Sequence, residues 1–303
     1  MREAGKAMSR KRPRGRAKEK PSGAVPGLPP EKWLYDHAME ATQQVSQRLG
    51  DELSKTPMIH FLMRHFGSLI FHAAQRLIDR KIATGLTRPK DEAVIYSCSR
   101  LFNECFSGYL LAQKGLVLQA IVLLRSAFET STQAILFMER EDMAKRWLEG
   151  HRIQPKEVRA KSPFASGQRE LYARLARLSH PNLEALRYYS APAHGSPHVG
   201  LAYGGWFVPK AAGQIVLQFL FAQLVLLENF YTTYLGDLEQ HDLVWRRETL
   251  QALGEAPPLT WSDYLAVWRR VLTELTDQYN SMPDDTLAVS KYLGDLLSSR
   301  APN

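Results

Sequence analysis

From residue 31 onward, apolar side chains return with a period near 3.6 over long stretches, and no segment alternates apolar and polar residues between Asn-Gly or Asp-Gly turns. That period belongs to helices, and the missing alternation removes hairpin-built sheets, sandwiches and barrels. The punctuation predicts helices over about 31–53, 57–82, 90–114, 116–140, 143–151, 167–179, 211–238, 243–253, 261–278 and 284–297. Several ends carry their own chemistry. Pro29-Pro30 precedes the first helix, whose stripe is Trp33, Leu34, His37, Ala38 and Ala41. Gly85 follows the second, and Asp91-Glu92 place acids in the first turn of the third, where the helix dipole favours them. Lys114-Gly115 close the third helix, and Pro181 closes or bends the one before it. No 20–50-residue repeat is visible, so a solenoid is not expected.

Two of these segments are apolar around most of their circumference: 116–140 and 211–238. Helices of that kind sit in a core, and the expectation is that they pack on each other. The most apolar stretch, 215–234, still carries Gln218, Gln223, Glu228 and Asn229, which suits a buried helix better than a membrane span. At 303 residues with 45% hydrophobic and 23% charged side chains, the chain is long enough for one large core or two modest ones.

The charge is lopsided. Of a net +8, the first twenty residues supply +7, from nine basic side chains against Glu3 and Glu19. A basic arm over residues 1–30, rich in Gly and Pro, is therefore expected to be disordered and to suit nucleic acid or an acidic partner. The near-neutral remainder gives no licence for a basic groove on the folded body. The start of the chain has no apolar run ending in small residues, so no signal peptide is expected. Cys98 and Cys105 fall two helical turns apart, roughly 10 Å between Cα atoms, beyond the roughly 7 Å a disulfide spans. Buried thiols in a reducing cytoplasm are the expectation.

The chain has no glycine-rich dinucleotide or P-loop motif, no Gly-x-Ser-x-Gly, no His-Glu-x-x-His and no Cys-x-x-Cys, and no cofactor is expected. Three polar constellations remain. Arg125 and Glu129 stand one turn apart on the apolar 116–140 helix. They read either as a buried ion pair fixing helix register or as an anchor for a polar site facing them across the bundle. Tyr172, Arg174, Arg177 and His180 gather at one helix end. An arginine that stabilises phosphorane charge beside a near-neutral imidazole suffices for metal-independent RNA cleavage, the ribose 2′-OH attacking. The structural alternative is a dipole-favoured His180 halted by Pro181, with solvated arginines. Finally, His194 and His198 in a Pro- and Gly-rich loop over 190–210 are weak candidates for a metal, with Glu184 the nearby carboxylate, although loop histidines are commonly solvated. The same loop carries Tyr203-Gly204-Gly205-Trp206-Phe207, which suits either stacking on a base or anchoring the loop.

Ala120-x-x-Leu123-Leu124-Arg125-x-x-x-Glu129, then Ala144-x-x-Trp147, then Tyr172 through Leu178-Ser179-His180-Pro181 together resemble a bacterial family of all-helical proteins related to HEPN domains, over roughly residues 90–240. HEPN ribonucleases carry an arginine and a histidine separated by four to six residues, generally acting across a homodimer. Arg174 and His180, with five residues between them, match that spacing; Arg177 does not. Leu175 stands where a polar residue commonly follows the arginine, and Pro181 follows the histidine directly. The resemblance implies an all-α, HEPN-like bundle acting on RNA in a toxin or phage-defence setting, Arg174 and His180 being catalytic and Arg125, Glu129, Tyr172 and Arg177 supporting them. A non-catalytic helical binding or scaffold protein is the alternative. The expected organisation is a basic arm (1–30), a helical core (31–240) and a C-terminal helical extension (241–303) packed on the same domain, with no membrane partner.

Overall fold

The computed structural model describes residues 31–86, 88–154, 156–158, 165–179, 190–192, 199–201, 208–231 and 261–283. The basic arm and the helices expected over 243–253 and 284–297 lie outside them. Described in chain order are α1 (Glu31–Ser54), α2 (Pro57–Thr84), α3 (Pro89–Gln113), α4 (Val117–Glu139), α5 (Glu141–Leu148), α6 (Ala165–Leu178), β1 (Ser190–Pro192), β2 (Val199–Leu201), α7 (Pro209–Asn229) and α8 (Trp261–Ser281). Among the described residues the fold is all-α apart from one ribbon. Strands β1 and β2 pair antiparallel, Ala191 opposite Gly200, inside the segment read above as loop. With three residues in each strand, the ribbon is too short for any alternation to show in the sequence.

The punctuation acts as the sequence indicates. Proline opens α2, α3 and α7, where a missing N–H costs nothing. Gly85 caps α2 at φ +65°, its N–H donating to the Lys81 carbonyl. Between α3 and α4, Gly115 at φ +69° lets the Leu116 N–H reach back to the Leu111 carbonyl, so the chain reverses in three residues and α4 returns along α3.

Helix α4 is central: it packs on α3, α7, α6 and α5. Helix α7 meets α4, α3, α2 and α8, so the two most apolar segments do touch. By length and composition α7 would span a membrane, but most of it is buried by protein, as for a core helix. Small residues set the spacing. A Cβ on Gly108 of α3 would fall 2.0 Å from Phe219 Cζ of α7, and one on Gly213 of α7 would fall 1.9 Å from Tyr279 Cε1 of α8. Both glycines are therefore seats for aromatic rings.

Helix α8 turns one face inward, with Tyr264, Leu265, Trp268, Leu272, Leu275 and Tyr279 all buried. Trp268 packs between Phe61, His65 and Phe66 of α2 and Tyr264 of its own helix. The C-terminal end of α8 meets the start of α7, where Lys210 Nζ donates to the carbonyls of Asn280 (3.0 Å) and Met282 (2.6 Å). A cation there satisfies carbonyls that the helix leaves unpaired. Cys98 and Cys105 are buried free thiols, and burial pushes both up to about 12, so neither is a nucleophile at neutral pH.

Candidate functional site

Arg125 lies on the side of α4 that faces α6, and its guanidinium uses three donors. Nε reaches Glu129 Oε1 at 3.2 Å, Nη1 reaches Ser179 Oγ at 3.0 Å and Nη2 reaches Tyr172 OH at 3.0 Å. Tyr172 OH in turn donates to Glu129 Oε1 at 2.6 Å, and the Tyr172 ring lies 5.3 Å from the guanidinium carbon. Ser179 Oγ donates to the Ala176 carbonyl. The ring of contacts is thus closed, tying one turn of α4 to the whole length of the second half of α6.

The pair is not buried as the apolar character of its helix suggested: the side chains of Arg125 and Glu129 keep 28% and 33% of their exposure. The reason is geometric. Val122, one turn before Arg125, is itself exposed, so this stripe of α4 opens outward while Leu124 and Ala127 face the core. Partial burial opposes the charge on Arg125, but hydrogen bonding and attraction to Tyr172 and Glu129 outweigh it and hold the guanidinium above its ordinary value. Such a group stays cationic and shuttles no proton. Glu129→Ala is expected to lower stability by only about 1 kcal/mol, because water can re-solvate the arginine. A urea titration checks this; a loss of about 3–5 kcal/mol would mean a cation shut off from water.

Arg174 does not join that network. It stands two residues from Tyr172 on α6, roughly 200° around the helix, and is exposed. It borders a cleft of about 240 Å³ between α4, α6, α7 and α8, with Ile121, Leu124, Leu175 and Leu178 forming its apolar side and Gln214, Gln218, Thr276 and Asn280 its polar side. Leu175, at the position where the resemblance leads one to expect a polar residue, is buried in the core together with Leu178, one turn on. The side chain after Arg174 is therefore committed to packing. Arg177 is exposed. His180, His194, His198 and Glu184 lie outside the described residues, as does the 203–207 segment. Among the described residues no group of His, Cys, Asp and Glu is placed to hold a metal. Ala144 is buried, and Trp147 packs on Phe137 and Tyr96, so that motif is packing.

Two polar features escaped the sequence reading. Glu104 of α3 is buried, its Oε1 accepting from Arg100 Nε (2.8 Å) and Ser126 Oγ (2.5 Å), while Oε2 has no hydrogen-bond partner among the described residues. The signal was available: Arg100 and Glu104 repeat the Arg125/Glu129 spacing on another helix. In the second, Tyr109 OH hydrogen-bonds His60 Nδ1 across α2 and α3, and Gln113 Nε2 donates to the same hydroxyl at 3.0 Å. Burial lowers the His60 imidazole and lifts the Tyr109 phenol to about 12, so both are neutral at physiological pH.

Compared with protein-family models, curated proteins and solved structures, the chain matches none of them.

Proposed function

We propose that this chain is a helical RNA-binding protein whose Arg174 cleft seats one nucleotide of a single strand. The observation that supports this reading is the composition of the cleft: an exposed guanidinium beside two glutamines, an asparagine and a threonine, over an apolar floor of leucine and isoleucine. A guanidinium suits a phosphate, amides suit base edges, and the apolar side suits a base face. At about 240 Å³ the cleft is smaller than the usual drug-sized pocket and is of the right order for a single base. The resemblance to HEPN-related proteins adds a cytoplasmic bacterial toxin or defence setting and a homodimer to this proposal.

A second reading, metal-independent ribonuclease, is favoured by one observation. Of the arginines considered, Arg125 is committed to Glu129, Ser179 and Tyr172, while Arg174 is exposed at a cleft, which is the state a phosphorane-stabilising arginine needs. His180 would then be the general acid or base.

Fluorescence anisotropy with a single-stranded RNA oligonucleotide tests the binding reading. Arg174→Ala is expected to weaken binding about tenfold and to lower the salt slope by about one. The same loss should persist after deletion of residues 2–28, which removes the basic arm's own attraction. Unchanged affinity in both backgrounds overturns the proposal. Cleavage of that RNA in EDTA by the wild type, abolished in a stably folded His180→Ala, would establish the ribonuclease reading; no cleavage leaves binding without catalysis.

A further inference from the structure

A second, independent pocket lies between α2 and α3 and reaches α7. It encloses about 510 Å³, within the range of small-molecule sites. Its walls are Met63 and Phe71 of α2 and Phe102 and Phe106 of α3. The Phe102 and Phe106 rings are parallel, 3° between planes, and both remain exposed, as does Phe71. Gly67 keeps the pocket open: a Cβ there would fall 3.0 Å from Phe102 Cε2.

At its α7 side the pocket is lined by Gln223, which is 1% exposed. The Gln223 Oε1 has no hydrogen-bond partner among the described residues, a state that costs a buried acceptor the full loss of its hydration. Beside it stand His60 and Tyr109, locked to each other and both neutral. Arg64 of α2 is exposed on the lining and has no ion-pair partner among the described residues. The pocket therefore offers three complementary features: flat aromatic walls, one buried acceptor without a donor and one cation open to an anion.

We infer that this pocket binds a planar aromatic acid bearing a ring N–H or O–H, with the donor on Gln223 Oε1, the ring against Phe102 and Phe106, and the carboxylate towards Arg64. The three demands come from different helices, and one small molecule of this class meets all of them. A purely apolar ligand would leave the Gln223 carbonyl unpaired, and a cation would meet Arg64.

Isothermal titration calorimetry on the full chain with indole-3-acetate and its N-methyl analogue tests this. Indole-3-acetate is expected to bind saturably, and N-methylation to weaken it about tenfold, the worth of one hydrogen bond to a buried acceptor. Gln223→Leu should impose a similar loss on the parent compound and almost none on the N-methyl analogue. Arg64→Gln should weaken both equally. Should Gln223→Leu fail to fold, Phe106→Ala, on the exposed wall, is expected to weaken both probes without lowering the melting temperature. Absence of saturable binding at millimolar probe, or equal affinity for the two probes, overturns the assignment. So does sedimentation showing that Phe71→Glu splits a dimer of this chain in which the pocket is covered.

Discussion

Trp268→Ala is expected to lower the free energy of unfolding by about 3–5 kcal/mol, the range for removing a fully buried large aromatic. The indole is fully buried, and four rings surround it: Phe61 at 5.9 Å, His65 at 5.2 Å, Phe66 at 6.0 Å and Tyr264 at 5.8 Å between centroids. Truncation leaves a cavity that stiff aromatic neighbours cannot collapse into. Because three of those rings belong to α2, the loss is shared between the first half of the chain and α8. Urea unfolding followed by circular dichroism should therefore shift as a single transition. Two separated transitions would show that α8 unfolds independently of α2 and α7. Trp268→Phe should cost much less, since it keeps a ring and removes an indole N–H that has no partner among the described residues.

The helices around this site were legible in the sequence because their evidence is local. Proline at the start of α2, Gly85 after it and the acids opening α3 each act within one turn, and the boundaries fall within a few residues of those expected. Helix α7 is described to Asn229 and widens at Phe230 and Tyr231, and the remainder of the stretch expected up to 238 lies outside the described residues. What the periodicity could not supply is which face of an apolar helix opens to water. Helix α4 carries apolar residues on nearly every side, yet the stripe through Val122, Arg125 and Glu129 is partly exposed, with α6 packing beside Arg125 and Glu129. Depth is equally hidden. Gln223 and Gln218 look alike in the sequence, but one is enclosed by α2 and α3 and the other borders the Arg174 cleft. His65 falls in a stripe of Leu62, Phe66 and Leu69, and only the arrival of α8, roughly two hundred residues later, makes it a buried imidazole.

That imidazole should make the protein acid-sensitive. Burial lowers His65 from 6.5 to about 4: Phe61, Phe66, Tyr264 and Trp268 pack around it, and Nε2 hydrogen-bonds the Tyr264 hydroxyl. A folded-state value below the unfolded one means that, as pH falls through 6.5, the unfolded chain takes up a proton that the folded chain refuses until about 4. The contribution is therefore fully present above 6.5 and is lost progressively down to about 4, amounting to about 3 kcal/mol across that window. Other groups titrate in the same range, so the quantity to measure is the difference between wild type and His65→Leu in urea titrations at a series of pH values. The wild type should lose about 3 kcal/mol more than the variant between neutral pH and pH 4. Leucine also removes one hydrogen bond to Tyr264, which lowers the variant's stability by a nearly constant amount and leaves the slope intact. A flat difference across the window would mean that the imidazole meets water in the folded state and that α8 does not seal it.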